Sequence, residues 1–250
     1  MLQKLLSKFR KCIETYNLIE DGDKIAVGLS GGKDSLVLLT LLSAYKRFSP
    51  QKFSLVALSV DLFNGKSDYS KVKDYCDKLG VEFHVIESQI YDIVFTERKE
   101  KNPCSLCAKL RRGILNTKAK EFGCNKVALG HTKDDLLETF FLSMIYEGRL
   151  STFAPKMLLT NIGITVIRPM IFIEERETIN ESKTMPVFFN CCPANHKTQR
   201  EYIKNLLKEI KKDIPISSDR AFRAIISPES YNLYDKYQTK EQPKTKKDSE

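Results

Sequence analysis

One segment limits the fold more than any other. A short apolar run, KIAVGL at 24–29, leads into Ser30-Gly31-Gly32-Lys33-Asp34-Ser35 and then into LVLLTLLSAYK at 36–46. The first run suits a buried strand, and the last, apolar nearly all round, suits a buried helix. The paired glycines let the backbone turn sharply and aim several N–H groups in one direction. The N-terminus of the following helix adds partial positive charge, so the unit predicts an anion cradle. Lys33 can place an ammonium on a phosphate, while Ser30 and Ser35 can donate hydroxyl hydrogen bonds. A glycine turn that only closes a strand–helix unit is the plainer alternative, and six matching residues in this setting weigh against it. The loop is not a Walker A motif, because Val27 occupies the first glycine position and Asp34 stands where Ser or Thr would hold magnesium. Nor is it a dinucleotide fingerprint, since Leu29 and Ser30 separate Gly28 from the glycine pair.

The same alternation continues along the chain. Strands are expected at 53–60, 81–87, 125–130 and 163–170, and helices at 2–18, 67–80, 104–122, 133–148, 174–183 and 197–214. Strands alternating with helices predict an α/β fold, doubly wound, with a mostly parallel sheet covered on both faces and a helical C-terminal extension. The expected division is an N-terminal helix at 1–22, a main domain at 23–215, an extension at 216–238 and a tail at 239–250 without apolar residues.

The 250 residues are 42% hydrophobic, enough for one substantial core. No window reaches the roughly 18 consecutive apolar residues of a membrane span. The N-terminus lacks the apolar run of a signal peptide, so a cytoplasmic protein without a membrane partner is expected. Lys and Arg total 41 against 32 Asp and Glu, for a formal charge of +9. That excess suits a polyanionic partner and equally suits a solvated, Lys-rich surface.

Seven cysteines in a chain with no export signal argue against structural disulfides and raise metal binding or catalysis. Cys104 and Cys107 form a C-x-x-C at a helix start, where two thiolates can face one metal. Two cysteines complete neither a zinc site nor an iron–sulfur cluster, and Cys191 and Cys192 are the candidates for a further ligand. Cys12, Cys76 and Cys124 fall in or beside regular elements and are expected to be buried. A redox dithiol, a zinc site that adds His196, and a three-cysteine cluster all remain open on these grounds. Gly130-His131-Thr132-Lys133-Asp134-Asp135 follows an expected strand, at the sheet edge where open α/β folds bind ligands. Two carboxylates there can hold Mg²⁺ or orient a nucleophile, or one can cap the helix that follows. Asp61 ends the second strand, where a turn role competes with ligand binding. His84, inside VEFHVIE, is expected to be structural.

Ser30–Ser35 resembles the PP-loop of the ATP pyrophosphatases, which share an adenine nucleotide α-hydrolase-like fold and cleave ATP between the α and β phosphates. CSLCAKLRRGIL at 104–115 is similar to the signature of the tRNA 2-thiocytidine synthetases within that group. GHTKDDLLETFFLSMIYEG at 130–148, IRPM at 167–170 and CPANHKTQRE at 192–201 match that family's later blocks in order, over about residues 10–212. The resemblance implies adenylation of a cytidine in the tRNA anticodon loop and sulfur insertion to give 2-thiocytidine, with ATP, Mg²⁺ and a [4Fe-4S] cluster. It implies that Ser30, Gly31, Gly32, Lys33, Asp34, Ser35, Asp61 and Gly130 serve ATP, and that Lys33, Arg111, Asp134 and Asp135 serve catalysis, Asp134 ahead of Asp135. It further implies cluster ligation by Cys104, Cys107 and Cys192, and tRNA contact by Lys109 and Arg112. Family members resemble P-C-P-A-D at the third ligand, so Cys191 replaces a proline here and is the alternate. The resemblance also implies a separate sulfur donor system and a homodimer. A tRNA 2-thiouridine synthetase and a non-catalytic, zinc-containing RNA-binding module are the competing expectations.

Overall fold

The computed structural model describes residues 2–63, 65, 67–97, 103–187 and 198–227. Its elements run α1 (Leu2–Tyr16), β1 (Lys24–Gly28), α2 (Lys33–Lys46), β2 (Ser54–Val60), α3 (Ser70–Lys78), β3 (Glu82–Ile86), α4 (Pro103–Glu121), β4 (Lys126–Ala128), α5 (Lys133–Glu147), β5 (Lys156–Leu159), β6 (Ile164–Ile167), α6 (Glu175–Glu181), α7 (Gln199–Asp213) and α8 (Ser217–Ile226). The strands form one sheet in the order β3-β2-β1-β4-β6-β5. All neighbours are parallel except β5, which pairs antiparallel with β6. This is the doubly wound, mostly parallel architecture that the alternating pattern predicts.

Successive residues of a strand face opposite sides of the sheet, and the two faces are buried differently. Ile25 and Val27 of β1 join a core built with Leu5, Phe9 and Ile13 of α1 and the buried apolar residues of α2 from Leu36 to Tyr45. Ala26 points to the other face, where Leu115 and Ala119 of α4 pack with Val56, Leu58 and Val60 of β2. Phe222 and Ile225 of α8 rest against the first core. The N-terminal helix therefore shares the main core with the sheet. Cys12, Cys76 and Cys124 are buried as expected, and burial pushes the Cys12 and Cys76 thiols up to about 12.

The strands at the antiparallel edge of the sheet differ from the sequence expectation. β5 lies in a stretch with no expected strand; its Met157 and Leu158 are exposed on the sheet edge. The strand expected at 163–170 ends at Ile167, and Arg168 N–H donates instead to the carbonyl of Pro155. His84 fits its structural assignment, with Nε2 2.9 Å from Glu82 and its ring against Phe122. Among the described residues no helix is long and apolar enough to cross a membrane.

One buried charge ties the start of the sheet together. The Lys126 ammonium on β4 lies 2.7 Å from the Asp23 carboxylate, both side chains being 3% exposed. It also donates to the Leu18 carbonyl and to Glu20. Removing one partner strands the other charge in the interior. Lys126→Met should therefore cost about 3–5 kcal/mol in urea unfolding. Asp23→Asn/Lys126→Met, which removes both charges, should recover much of that loss.

Candidate functional site

The parallel strands leave β1 in two directions, toward β2–β3 and toward β4–β6, so the carboxyl ends of β1 and β4 flank a crevice. The loop after β1 is folded by its own polar groups. Ser30 N–H donates to Ser35 Oγ at 3.1 Å, Gly32 N–H donates to Ser30 Oγ at 3.2 Å, and Ser35 Oγ donates to the Gly32 carbonyl at 2.8 Å. Gly31 adopts φ +83°, a left-handed conformation that favours glycine. Gly32 precedes α2 in an extended conformation, and no side chain caps this helix. The contrast with α5 is sharp: Thr132 and Asp135 form a complete capping box there. One helix N-terminus satisfies itself, and the other leaves its donors for a ligand.

Gly130 joins the two loops. A Cβ there would lie 2.8 Å from the Asp34 carbonyl oxygen and 3.2 Å from the Ser35 nitrogen. Only a glycine lets the end of β4 lie against the first turn of α2.

A cavity of about 470 Å³ opens at this junction. Ser30, Asp34 and Ser35 form one wall, and Leu58, Val60 and Leu115 form an apolar one. Arg111 and Arg112 of α4 line it too, as do His131, Asp135 and Arg200. Arg111 donates to the Leu29 carbonyl at 3.4 Å. Burial lowers its pKa, and nearby Cys107 and Tyr69 oppose that shift, so Cys107 lies close to Arg111. Cys104 is exposed and Cys107 half-buried, three residues apart on α4 and so on neighbouring positions of its surface. Cys191, Cys192 and His196 lie outside the described residues. Among the described residues no group of three metal-ligating side chains is assembled.

The remaining expected site residues separate into those at the cavity and those elsewhere. Asp135 faces the cavity. Asp134 turns toward α6, where it accepts from Glu175 N–H at 2.7 Å, and burial raises its pKa. Asp135 also takes part in capping α5, accepting from the Thr132 N–H, whereas Asp134 has no part in the cap. Asp61 is 1% exposed and receives bonds from Gly65 N–H and the Tyr69 hydroxyl, which organise the turn after β2. Lys109 is exposed on α4 away from the cavity lining. Lys33 lies 2.9 Å from Asp34 and 3.0 Å from Glu175. Burial works against its charge, but the two carboxylates outweigh that and raise its pKa.

Three contributors carry no local signature. Thr178 of α6 donates to Asp34 at 2.5 Å, bracing the phosphate loop from outside. Arg200 of α7 donates to Glu138 at 3.0 Å and to Thr139 at 3.1 Å. His131 lines the cavity, with its ring 4.8 Å from that of Phe153 and its Nδ1 buried without a hydrogen-bond partner among the described residues. Burial pushes its pKa down to about 4; Asp135 opposes this, and Arg168, Arg200 and Arg112 reinforce it.

Together these features define an α/β domain with an open anion cradle at the start of α2 and no Walker lysine–serine pair. Residues 1–212 match the family described as "PP-loop domain". A tRNA-cytidine(32) 2-sulfurtransferase of Geobacter metallireducens is 38% identical over 239 residues, covering 94% of this chain and 93% of that one. Its counterpart in Aliivibrio fischeri is 40% identical, covering 89% of this chain and 75% of that one. Among solved structures, the U34-tRNA thiolase NcsA of Methanococcus maripaludis, with its [4Fe-4S] cluster, superposes with a TM-score of 0.70 at 25% identity, covering 89% and 76%. The chain belongs to the PP-loop ATP pyrophosphatases and, within them, to the tRNA 2-thiocytidine synthetase family.

Two measurements test this geometry. Gly130→Ala should weaken ATP binding at least about tenfold in titration calorimetry, because its methyl group must displace the backbone of the phosphate loop. His131 bears on stability through pH. Its folded pKa lies below 6.5, so below pH 6.5 the unfolded chain takes up a proton that the folded chain refuses. Wild type should thus lose up to about 3 kcal/mol relative to His131→Gln between pH 6.5 and pH 4. Parallel denaturation curves at the two pH values would expose the absence of such a difference.

Proposed function

We propose that this protein is an ATP-dependent tRNA sulfurtransferase, which adenylates a cytidine in the anticodon loop and replaces its 2-oxygen with sulfur. The observation that carries this reading is the adjacency of two chemistries. An uncapped helix N-terminus with a folded glycine loop opens on a cavity shared with Arg111, one turn beyond Cys107. The first suits ATP activation, and the second brings the C-x-x-C helix to the same place. The curated relatives' names supply the substrate, cytidine 32 of tRNA.

In this reading the α2 N-terminus, with Ser30, Gly31, Gly32 and Ser35, receives the β and γ phosphates of ATP. Lys33 exchanges a carboxylate for a phosphate oxygen, and Asp34 and Gly130 shape the loop. The adenosine lies on the apolar wall of Leu58, Val60 and Leu115, with Asp61 holding the turn behind it. The cytosine enters beside His131 and Asp135. Its O2 attacks the α phosphorus, forming the O–P bond as the bond to pyrophosphate breaks. Adenylation turns a poor leaving oxygen into AMP, so a sulfur nucleophile can add at C2 and expel it. Asp135 is the carboxylate suited to Mg²⁺, which would offset phosphate charge. Asp134 supports α6 instead. Arg111 faces the activated base, and Arg112 and Lys109 offer exposed cations to tRNA phosphates.

The donor set suits a cluster: Cys104 and Cys107 are presented together, and Cys192, with Cys191 as its alternate, provides the third thiolate. A [4Fe-4S] cluster bound there would supply the sulfur-bearing centre. Each turnover consumes one sulfur, so a separate donor system must replace it. Residues 23–215 form the catalytic unit and 216–238 its extension.

Nucleosides of tRNA from cells lacking the protein should contain no 2-thiocytidine. Wild type should restore it, whereas Cys104→Ser should not. Anaerobically purified protein should carry iron and sulfide. Unchanged 2-thiocytidine, or zinc in place of iron with no tRNA-stimulated pyrophosphate release, would overturn the proposal. Cys191→Ser and Cys192→Ser, made separately, identify the third ligand by which one loses iron.

A further inference from the structure

Arg200 lies about 70 residues downstream of Gly130, yet it forms part of the same cavity wall. Its guanidinium is held from one side by α5. One terminal nitrogen donates to Glu138 at 3.0 Å and the other to Thr139 Oγ1 at 3.1 Å. A guanidinium carries five N–H donors, so these two bonds fix its orientation and leave others to face the cavity. Asp135 does not consume them. It stands 3.6 Å away, beyond hydrogen-bond distance, and commits its other oxygen to the Thr132 N–H and hydroxyl.

Glu138 explains why such a residue can be held so firmly. Its side chain is 7% exposed, and Arg200 is the cation bonded to it among the described residues. The carboxylate needs the guanidinium, and the guanidinium gains an anchor that does not occupy the cavity. A planar fork fixed along one edge is a device for presenting its other edge to a planar or tetrahedral oxyanion. Ser30, Asp34 and Ser35 of the phosphate loop line the same cavity. A phosphate chain gripped at one end by that loop would lie in the cavity that Arg200 lines.

We propose that Arg200 is a catalytic residue, aimed by Glu138 and Thr139, that donates to the non-bridging oxygens of the α phosphate during adenylation. This rests on the assignment of the cavity to ATP and tRNA cytidine. As the cytosine O2–P bond forms and the bond to pyrophosphate breaks, negative charge on those oxygens shifts, and a fixed donor stabilises it without reorganising. Arg111 and Arg112 of α4 line the same cavity, so Arg200 is one of three guanidinium groups bordering it.

The test is tRNA-dependent pyrophosphate release by the holoenzyme, with tRNA affinity measured separately in the absence of ATP. Wild type must release pyrophosphate; if it does not, the underlying assignment fails rather than the role of Arg200. Arg200→Gln should lower kcat about 10²-fold or more while tRNA affinity stays within about twofold. Arg200→Lys, which keeps the charge but loses the fork, should recover part of the rate. Because Arg200→Gln strands a buried carboxylate, the Glu138→Gln/Arg200→Gln double variant is measured beside it. It should fold like wild type and show the same kcat loss. Pyrophosphate release within threefold of wild type in the folded double variant would overturn the proposal. So would a defect that vanishes at saturating tRNA and tracks weakened tRNA binding, which would make Arg200 an RNA contact.

Discussion

The site depends on one close approach. The end of β4 meets the first turn of α2 at a distance that excludes a Cβ from Gly130. That contact brings the loop after β1 and the loop after β4 into one crevice, at the point where the sheet's connectivity changes direction. Everything polar at the site is arranged around it. The phosphate loop lies on one side; His131, Asp135 and the start of α5 lie on the other. A side chain at residue 130 would separate an anion cradle from the groups that make it chemically useful.

Around this contact, polar groups are divided between structure and function. α5 closes its own N-terminus with Thr132 and Asp135, while α2, on the other side of Gly130, has no side-chain cap. The cations divide similarly. Lys126 is spent on Asp23 and Glu20 at the base of the sheet. Arg168 is buried with Phe153 beneath its guanidinium, one bond to the Ala154 carbonyl and, among the described residues, no hydrogen-bond partner for its Nε. Burial, with the charge of Arg112 adding to it, brings its pKa down to about 10, which still leaves it charged at neutral pH. Its field helps keep His131 neutral, so the imidazole can face the cavity without adding charge there.

How much of this could be read from the sequence follows how local each feature is. Ser30–Ser35 was legible because a strand, two glycines and a helix meet within about twenty residues, and the chemistry lies in the backbone they dictate. The parallel sheet was legible because its strands are continuous apolar runs. β5 was not, because an antiparallel edge strand with exposed Met157 and Leu158 lacks a buried face to impose alternation. α8 shows its apolar face only through Phe222 and Ile225, over ten residues. The two aspartates after His131 are equivalent as letters. Only the packing of α6 shows that Asp134 is taken by Glu175 N–H while Asp135 faces the cavity. Arg200 is invisible for the same reason: nothing in TQRE announces Glu138, sixty-two residues earlier in the chain.

α7 completes the site in a way that its sequence position conceals. Arg200 and Lys204 are four residues apart and so lie on one face of the helix. Arg200 reaches Glu138 on α5, and Lys204 reaches Glu175 at 2.8 Å on α6. Glu175 also holds Lys33, so a chain of alternating charges runs from α7 through α6 into the phosphate loop. Lys33 is neutralised twice over, by Asp34 and Glu175, and must exchange a carboxylate oxygen for a phosphate oxygen to meet ATP. Lys204 makes that exchange less costly, because Glu175 keeps a cation when Lys33 leaves it. The helix that follows the second cysteine pair therefore balances the charges of the nucleotide loop, and this balance couples two sequence blocks more than 160 residues apart.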